Sequence, residues 1–356
     1  MLKKLSDIAM ITIGQSPSSS AYNASGFGLP FLQERTTFGD KYPYYDTWTS
    51  QWNKEAQIGD ILFTVRAPVG DLNIANTRLA IGRGIAALHP LNVSTKYLFY
   101  LLSSSKSKFL NSSVGTIFDS INKDALESIV LDIHSENEQN HIVDTIGSVD
   151  DLIEKNKEYL RQFQIMLKSK YKDLSLKESR KCKLSDLIIR TGKTSKNKEW
   201  SDSKIIDLST MPNDNIFIDK FSNGSNFSTN IKTIGKNDLV YGSIRPYFRK
   251  AGFNWKTKYV AGSVYSFNTN RKDDYLWVLS CICSEEFHKY TATNSQGTKM
   301  PIINWDAFIN FELPYSEKSA VTLQNTMKPL LELSIVKLKE NDCLETIKSR
   351  LLKKYF

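Results

Sequence analysis

The pattern nearest to a ligand-binding signature in this chain is Gly192-Lys193-Thr194, which reads like the end of a phosphate loop. Such a loop needs a glycine five residues earlier so that backbone N–H groups can wrap the anion, and Leu187 stands there. Cys281 and Cys283 with His288 carry metal-ligand atoms, but they sit around an apolar run from Leu276 to Phe287. Thiols two residues apart on a helix point to different sides, so these read as core cysteines and no metal site is expected. His89, His134, His141 and His288 have no serine or cysteine constellation. Glu136 and Glu138 resemble a short acid pair, yet carboxylates at the start of a helix are favoured by its dipole without any acid–base role. No catalytic residue is assigned, and the chain is read as a non-enzyme.

The elements that would position anything else are dominated by two long helices. From Ser148 to Leu174, Val149, Ile153, Leu160, Phe163, Leu167 and Leu174 fall mostly three, four or seven apart and share one stripe of a helix roughly 40 Å long. Ser148 is the expected N-cap, with Asp150 and Asp151 at the positive end of the dipole. Asn156 fills the one skipped stripe position, either as a register-fixing polar residue or as a solvated one. A second stripe runs from Leu330, through Leu331 and Ile335 and, after a two-residue shift, Leu344, Ile347, Leu351 and Tyr355. Gly147 and Pro329 precede the two helices and are expected to start them. Each stripe needs a partner, and the two are expected to pair antiparallel as a coiled-coil spacer.

At 356 residues the chain should hold two or three domains, and 40% apolar with 11% aromatic residues marks a globular protein. No run of eighteen apolar residues and no signal-peptide core is present, so a cytosolic, cytoplasmic location is expected. Four cysteines, Cys182, Cys281, Cys283 and Cys343, suggest reduced thiols. A net charge of +9 favours a polyanionic partner. The charge is uneven: residues 1–135 hold 12 basic against 11 acidic side chains, whereas residues 181–316 hold 19 against 13. The later part should supply more of any salt-dependent affinity.

The strongest signal is an internal repeat of roughly 180 residues. Lys4-Leu5-Ser6-Asp7 recurs as Lys183-Leu184-Ser185-Asp186, each followed by a Gly-containing polar loop. Gly59-Asp60-Ile61-Leu62, leading through a strand to Arg66, recurs as Asn237-Asp238-Leu239-Val240, leading to Arg245. Tyr97-Leu98 recurs as Tyr275-Leu276, and Gly115-Thr116 with Ile121-Asn122 as Gly297-Thr298 with Ile303-Asn304. The expected fold class is α+β, with two tandem α/β domains, residues 1–135 and 181–316, alternating with helical stretches at 136–180 and 317–356. Tandem copies joined by antiparallel helices acquire a pseudo-twofold axis, which suits duplex DNA and would separate two contact sites by about one helical turn or more, on the order of 34 Å.

This ordered set, together with Ser135-Glu136-Asn137-Glu138-Gln139 ahead of Ile142 and Ile146, resembles the specificity subunit of type I restriction-modification systems over the whole chain. The second copy departs from the pattern at Glu317-Lys318 and after Arg245-Pro246. The resemblance implies a non-catalytic protein whose two target-recognition domains read a bipartite double-stranded DNA target. It also implies two adenine-modification subunits as partners, often two restriction subunits, and S-adenosylmethionine bound by the partner rather than by this chain. Consistent with that division, the Asn- or Asp-Pro-Pro-aromatic motif of amino-methyltransferases is missing.

Reading DNA requires loop residues with forked donors or amides for base edges and cations for phosphates. The candidates are Gln15, Ser18, Tyr22, Gln33, Arg35, Arg66 and Arg83 in the first domain. In the second they are Lys193, Lys196, Lys198, Arg245, Tyr247, Arg249, Gln296 and Lys299. Tyr42, Tyr44, Tyr45, Trp48 and Trp52 form an aromatic loop that either packs over the domain or lines a groove. Two other functions stay open: DNA recognition in a related defence system or by a stand-alone regulator, and a coiled-coil scaffold that binds only protein.

Overall fold

The repeat is visible as one sheet plan used twice. The computed structural model describes residues 1–111, 120–195 and 199–356. They form two compact units, Met1–Asp151 with Thr346–Phe356, and Leu152–Glu345. Each has a four-stranded antiparallel sheet, in the order Ala9–Ile13, Ile85–Pro90, Ile61–Thr64, Leu72–Ile74 in the first unit. In the second the order is Ile188–Arg190, Val264–Thr269, Leu239–Gly242, Ala251–Phe253. A two-stranded ladder also repeats, Leu2–Lys4 with Val130–Asp132 and Lys181–Lys183 with Glu312–Pro314.

The strands are short and their central members apolar on both faces, as expected of sheets covered on both sides. Ile61, Leu62 and Phe63 are fully buried, as are Leu239, Val240 and Tyr241. One face meets an apolar helix, Thr95–Ser104 in the first unit and Tyr275–Ile282 in the second. Cys281 and Cys283 belong to the latter core; burial pushes the Cys283 thiol up to about 12. The short helices after residues 122 and 304 start alike, with the side chain of Asn122 accepting from Ala125 N at 2.8 Å and that of Asn304 from Ala307 N at 2.7 Å.

A second, five-stranded sheet in each unit shares four strands and differs in the fifth. In the first unit the parallel pair Leu29–Leu32 and Leu79–Ile81 is flanked by Trp48–Thr49 and Glu55–Ala56. In the second the parallel pair Lys204–Ile206 and Tyr259–Ala261 is flanked by Ser222–Asn223 and Ile231–Thr233. The extra strand, Tyr22–Asn23, adds beside Trp48–Thr49, whereas Lys193–Thr194 adds beside Ile231–Thr233 at the other edge. Lys193 and Thr194 are thus an edge strand rather than a phosphate loop.

The long helices run from Glu136 to Ser175 and from Glu317 to Tyr355, both longer than the spacing predicts. Gly147 and Pro329 are interior positions, and Ser148 donates to Thr145 O instead of capping. Packing on both sides of each breaker outweighs it: Ile142, Ile146 and Ile153 are buried around Gly147, and Leu323, Met327 and Leu331 around Pro329. The first helix starts instead at Ser135, whose N–H and hydroxyl donate to Glu138 Oε2 at 2.9 and 2.7 Å.

Within each unit the helix segments are antiparallel. In the first, Tyr355 OH lies 3.1 Å from His141 Nε2 and Lys348 Nζ 2.7 Å from Asp150. In the second, Asn156 donates to Asn341 Oδ1 at 2.9 Å and Glu340 Oε2 at 3.1 Å, and Ser316 donates to Glu178 at 2.7 Å. Asn156 is buried, so its amide has partners in the seam rather than water.

The seam residues are placed unevenly. Ile153, Leu160, Phe163, Leu167 and Leu331 are buried, and Val149, Ile335, Leu344 and Leu351 are half-buried. Ile347 corrects the predicted stripe: it is 39% exposed. The buried positions of the second helix continue through Ser334, Leu338 and Asn341 without the assumed two-residue shift, which turns Ile347 outward.

Candidate nucleic-acid interface

Each unit holds its loops by the same turn. Asp60 is buried; its carboxylate accepts from Gln57 N at 2.8 Å and lies 2.7 Å from His89 Nδ1. Asp238, equally buried, accepts from Gly235 N at 2.8 Å and Asn268 Nδ2 at 3.0 Å. Gly59 and Asn237 supply the left-handed residue, φ +89° and +66°. Sequence reasoning quoted both aspartates as motif letters but did not assign them this work.

The strand then leaves the turn in step. Ile121 N bonds Val65 O and Ile303 N bonds Ser243 O, so Arg66, bridged to Ser120, corresponds to Ile244, bridged to Ile302. The predicted pairing of Arg66 with Arg245 is therefore off by one residue: Arg245 takes the place of Ala67. The additional residue of the second copy lies further on, between the closing bonds Thr64 N to Asp71 O and Gly242 N to Lys250 O.

In the first unit four candidates gather around Gly82-Arg83-Gly84. Gln15 N bonds Ile81 O at 3.0 Å, Gly84 N bonds Gln33 O at 3.2 Å, and Val65 N bonds Gly84 O at 3.0 Å. Arg83 N donates to Ser16 Oγ at 3.2 Å. The backbones approach so closely that a Cβ on Gly84 would fall 2.6 Å from Gln33 O. Gln15, Arg66 and Arg83 are exposed there and Gln33 is half-buried.

The other three are tied down. Arg35 Nη1 pairs with Asp71 at 2.6 Å, and Lys106 pairs with the same carboxylate at 2.6 Å. Burial raises the Asp71 carboxyl, but hydrogen bonds from Lys106 and Arg35 outweigh it and hold the pKa below the ordinary value. Ser18 bonds Ser20, and Tyr22 OH donates to Pro17 O with its ring 4.8 Å from Phe31. The aromatic loop is mixed: Tyr45, half-buried, donates to Asn76 at 2.5 Å, while Trp48 is half-buried and Tyr42, Tyr44 and Trp52 are exposed.

In the second unit Arg245, Gln296 and Lys299 come together. Gln296 and Ile302 exchange backbone bonds at 2.9 and 2.8 Å, closing a hairpin whose Pro301 O accepts from Arg245 N at 2.7 Å. Gln296, Lys299 and Tyr247 are exposed. Arg249 is not part of this group: its guanidinium pairs with Glu285 at 2.9 Å and its carbonyl accepts from Asp214, which pairs with Lys168 of the long helix. Lys193 is exposed on its edge strand; Lys196 and Lys198 lie outside the described residues, as does Gly115-Thr116.

Arg190, not singled out from the sequence, stacks 4.7 Å from the Trp305 ring. Burial and the nearby Arg190 charge lower the pKa of Lys232, which pairs in strand register beside Lys193 and Thr194. A phosphate would relieve such crowding. Both units thus present cations and amides on loops held by rigid strands, an arrangement suited to binding polyanions. Among the described residues no group of three metal-ligating side chains occurs, and no helix is long and apolar enough to cross a membrane.

Residues 1–162 match the family model of the type I restriction modification DNA specificity domain. Over 168 residues, 47% of this chain, the sequence is 40% identical to the MjaX specificity subunit assigned to a type I restriction enzyme in Methanocaldococcus jannaschii, of which 39% is covered. The type I restriction enzyme MjaIX specificity subunit of the same organism is 29% identical over 168 residues, 44% of this chain and 39% of its own length. The match therefore spans about two fifths of either relative. A crystal structure of the type I restriction-modification system S subunit from M. genitalium aligns with 100% of this chain and 96% of that one, with a TM-score of 0.61 at 15% identity, a likeness of fold. The chain is thus similar in sequence to type I restriction-modification specificity subunits over just under half of its length, and in fold to one such subunit throughout.

Proposed function

We propose that this chain is the DNA-recognition subunit of a type I restriction-modification complex and that each unit reads one half of a two-part target. The observation that carries this reading is that loop cations and amides gather past the end of the central strand in both units, beside residues 82–84 in the first and beside the 296–302 hairpin in the second. The chain itself transfers no methyl group and cuts no DNA. It directs partner modification subunits, two per complex, which bind S-adenosylmethionine and methylate adenine, and the assembly works in the cytoplasm. The paired long helices act as the spacer between the two readings. Long-read detection of modified bases in cells carrying this chain with its modification subunit should return a bipartite adenine-methylated site, and the purified chain alone should neither methylate nor cleave. A methylated site without two parts would sink the one-half-per-unit assignment. Methylation unchanged when the chain is omitted would sink the recognition role altogether.

A further inference from the structure

The turn that leaves the loop cluster differs sharply between the units. In the first, Ala67-Pro68-Val69-Gly70 folds inward: Val69 is buried in the core, and a Cβ on Gly70 would lie 3.3 Å from Phe109. In the second, the equivalent turn is Arg245-Pro246-Tyr247-Phe248-Arg249, one residue longer. Here Tyr247 is 51% and Phe248 38% exposed, with their rings 4.8 Å apart. Lys250 Nζ braces the Phe248 ring at 5.8 Å.

Both ends of this turn are arginines in the left-handed region, φ +51° at Arg245 and +54° at Arg249, where a side chain is strained. At Arg249 the conformation is compensated by Glu285 and Asp214. At Arg245 no side-chain partner compensates it: among the described residues Nε is buried without one. Exposed Lys299 and Met300 stand on the adjoining hairpin. An exposed aromatic pair flanked by an unpaired guanidinium and a lysine matches a nucleic acid, with π-faces to stack on and phosphates to pair with.

We infer that Tyr247 and Phe248 form a wedge that the second unit alone drives against a base step of duplex DNA, with Arg245 on the flanking phosphate. This rests on the DNA-recognition reading above. The first unit reads its half with the helix stacked, and the second unstacks a step in its half. Flexible pyrimidine–purine steps are therefore favoured there through their ease of unstacking, without any base edge being read.

The test uses the full chain with its modification subunits, a random 60-base-pair duplex library, and permanganate, which oxidises unstacked thymines. The enriched duplexes should show reactive thymines in one half only. Tyr247→Ala/Phe248→Ala should abolish that reactivity and weaken binding on the order of tenfold, with the salt dependence unchanged. Tyr247→Trp should retain the reactivity. Arg245→Ala should keep it too, but lower the slope of log K against log salt by about 0.9. Circular dichroism checks that the variants fold, which the exposure of Tyr247 and Phe248 favours. Unchanged reactivity and affinity in the double variant would overturn the wedge. So would loss of the modification subunit on gel filtration with DNA binding intact, since the aromatic pair would then cover a protein. If the wild type enriches no duplex, the recognition reading fails and the wedge falls with it.

Discussion

The two units share their framework bonds and differ where no bond enforces likeness. The Asp60 and Asp238 turns, the Asn122 and Asn304 caps and the four-strand order all repeat. The turn after the central strand shares only its entry and exit bonds between the two units, and it buries Val69 in one and exposes Tyr247 in the other. The fifth strand likewise changes edges, because an edge strand needs one neighbour and either side supplies it. The helix seam diverges too: the first unit buries Asp150 between Lys348 and Tyr100, each 2.7 Å away, where the second carries apolar Leu160, Leu167, Leu331 and Leu338. A repeated framework thus fixes where loops are offered and leaves their chemistry free.

The largest expected break in this comparison is at the apolar seam. Leu160→Asp puts an unpaired charge into the second unit and should cost about 4 kcal/mol, read as loss of hydrogen-exchange protection in Leu239–Gly242 while Ile61–Thr64 stays protected. Ile347→Asp, on the exposed side, should cost under about 1 kcal/mol. Equal costs would mean that the stripe read through Ile347 is the buried one after all.

That pair of substitutions also marks what the sequence could and could not disclose. Leu160, Phe163 and Leu167 were legible because one period ran unbroken through them. Ile347 was not, since spacing alone cannot choose between adjacent stripes when Ser334 and Asn341 fill buried positions with polar groups. Gly147 and Pro329 misled for a related reason: propensity is local, and the packing that overrides it is not. The repeat itself was readable because its caps and turns are made by neighbours in the chain. Arg66 and Arg245 were misaligned because both stand near a strand end, and the additional residue sits in a turn that only the closing hydrogen bonds locate. Of the candidate interface, the gathering of Gln15, Gln33, Arg66 and Arg83 depends on tertiary bonds to residues 81–84, which no local pattern announces.

Acid should separate the units by a smaller margin. His288 is buried against Tyr241 in the second unit, whereas His89, His134 and His141 of the first are all solvent-accessible. Burial, then the Arg249 charge, lowers the His288 pKa from 6.5 to about 4, with Lys168 lowering it further and Asp214 and Glu285 opposing. The unfolded chain therefore takes up the proton first. The stability from neutral His288 is complete above pH 6.5 and is lost as pH falls towards 4, with about 2 kcal/mol gone by pH 5. In His288→Phe the gap in hydrogen-exchange protection between pH 7 and pH 5 should narrow by that amount in the second unit and stay unchanged in the first. An unaltered gap would place the acid response elsewhere.

The finest test exchanges the side-chain partner that differs between the two framework aspartates. The carboxylates of Asp60 and Asp238 each hold a backbone N–H, from Gln57 and Gly235, so Asp→Ala at either should cost roughly 1–3 kcal/mol by leaving a donor without its acceptor. The remaining carboxylate oxygen faces His89 in one unit and Asn268 in the other. The His89 side chain is 48% exposed, so water competes for the contact, which contributes little beyond an ordinary hydrogen bond. His89→Asn supplies the same kind of donor that Asn268 does and should change stability by less than about 1 kcal/mol at neutral pH. Its protection of Ile61–Thr64 should then match that of the wild type, while Asp60→Ala loses it. If His89→Asn proves as damaging as Asp60→Ala, the two turns are not one device used twice, because the histidine would be carrying structure that its counterpart does not.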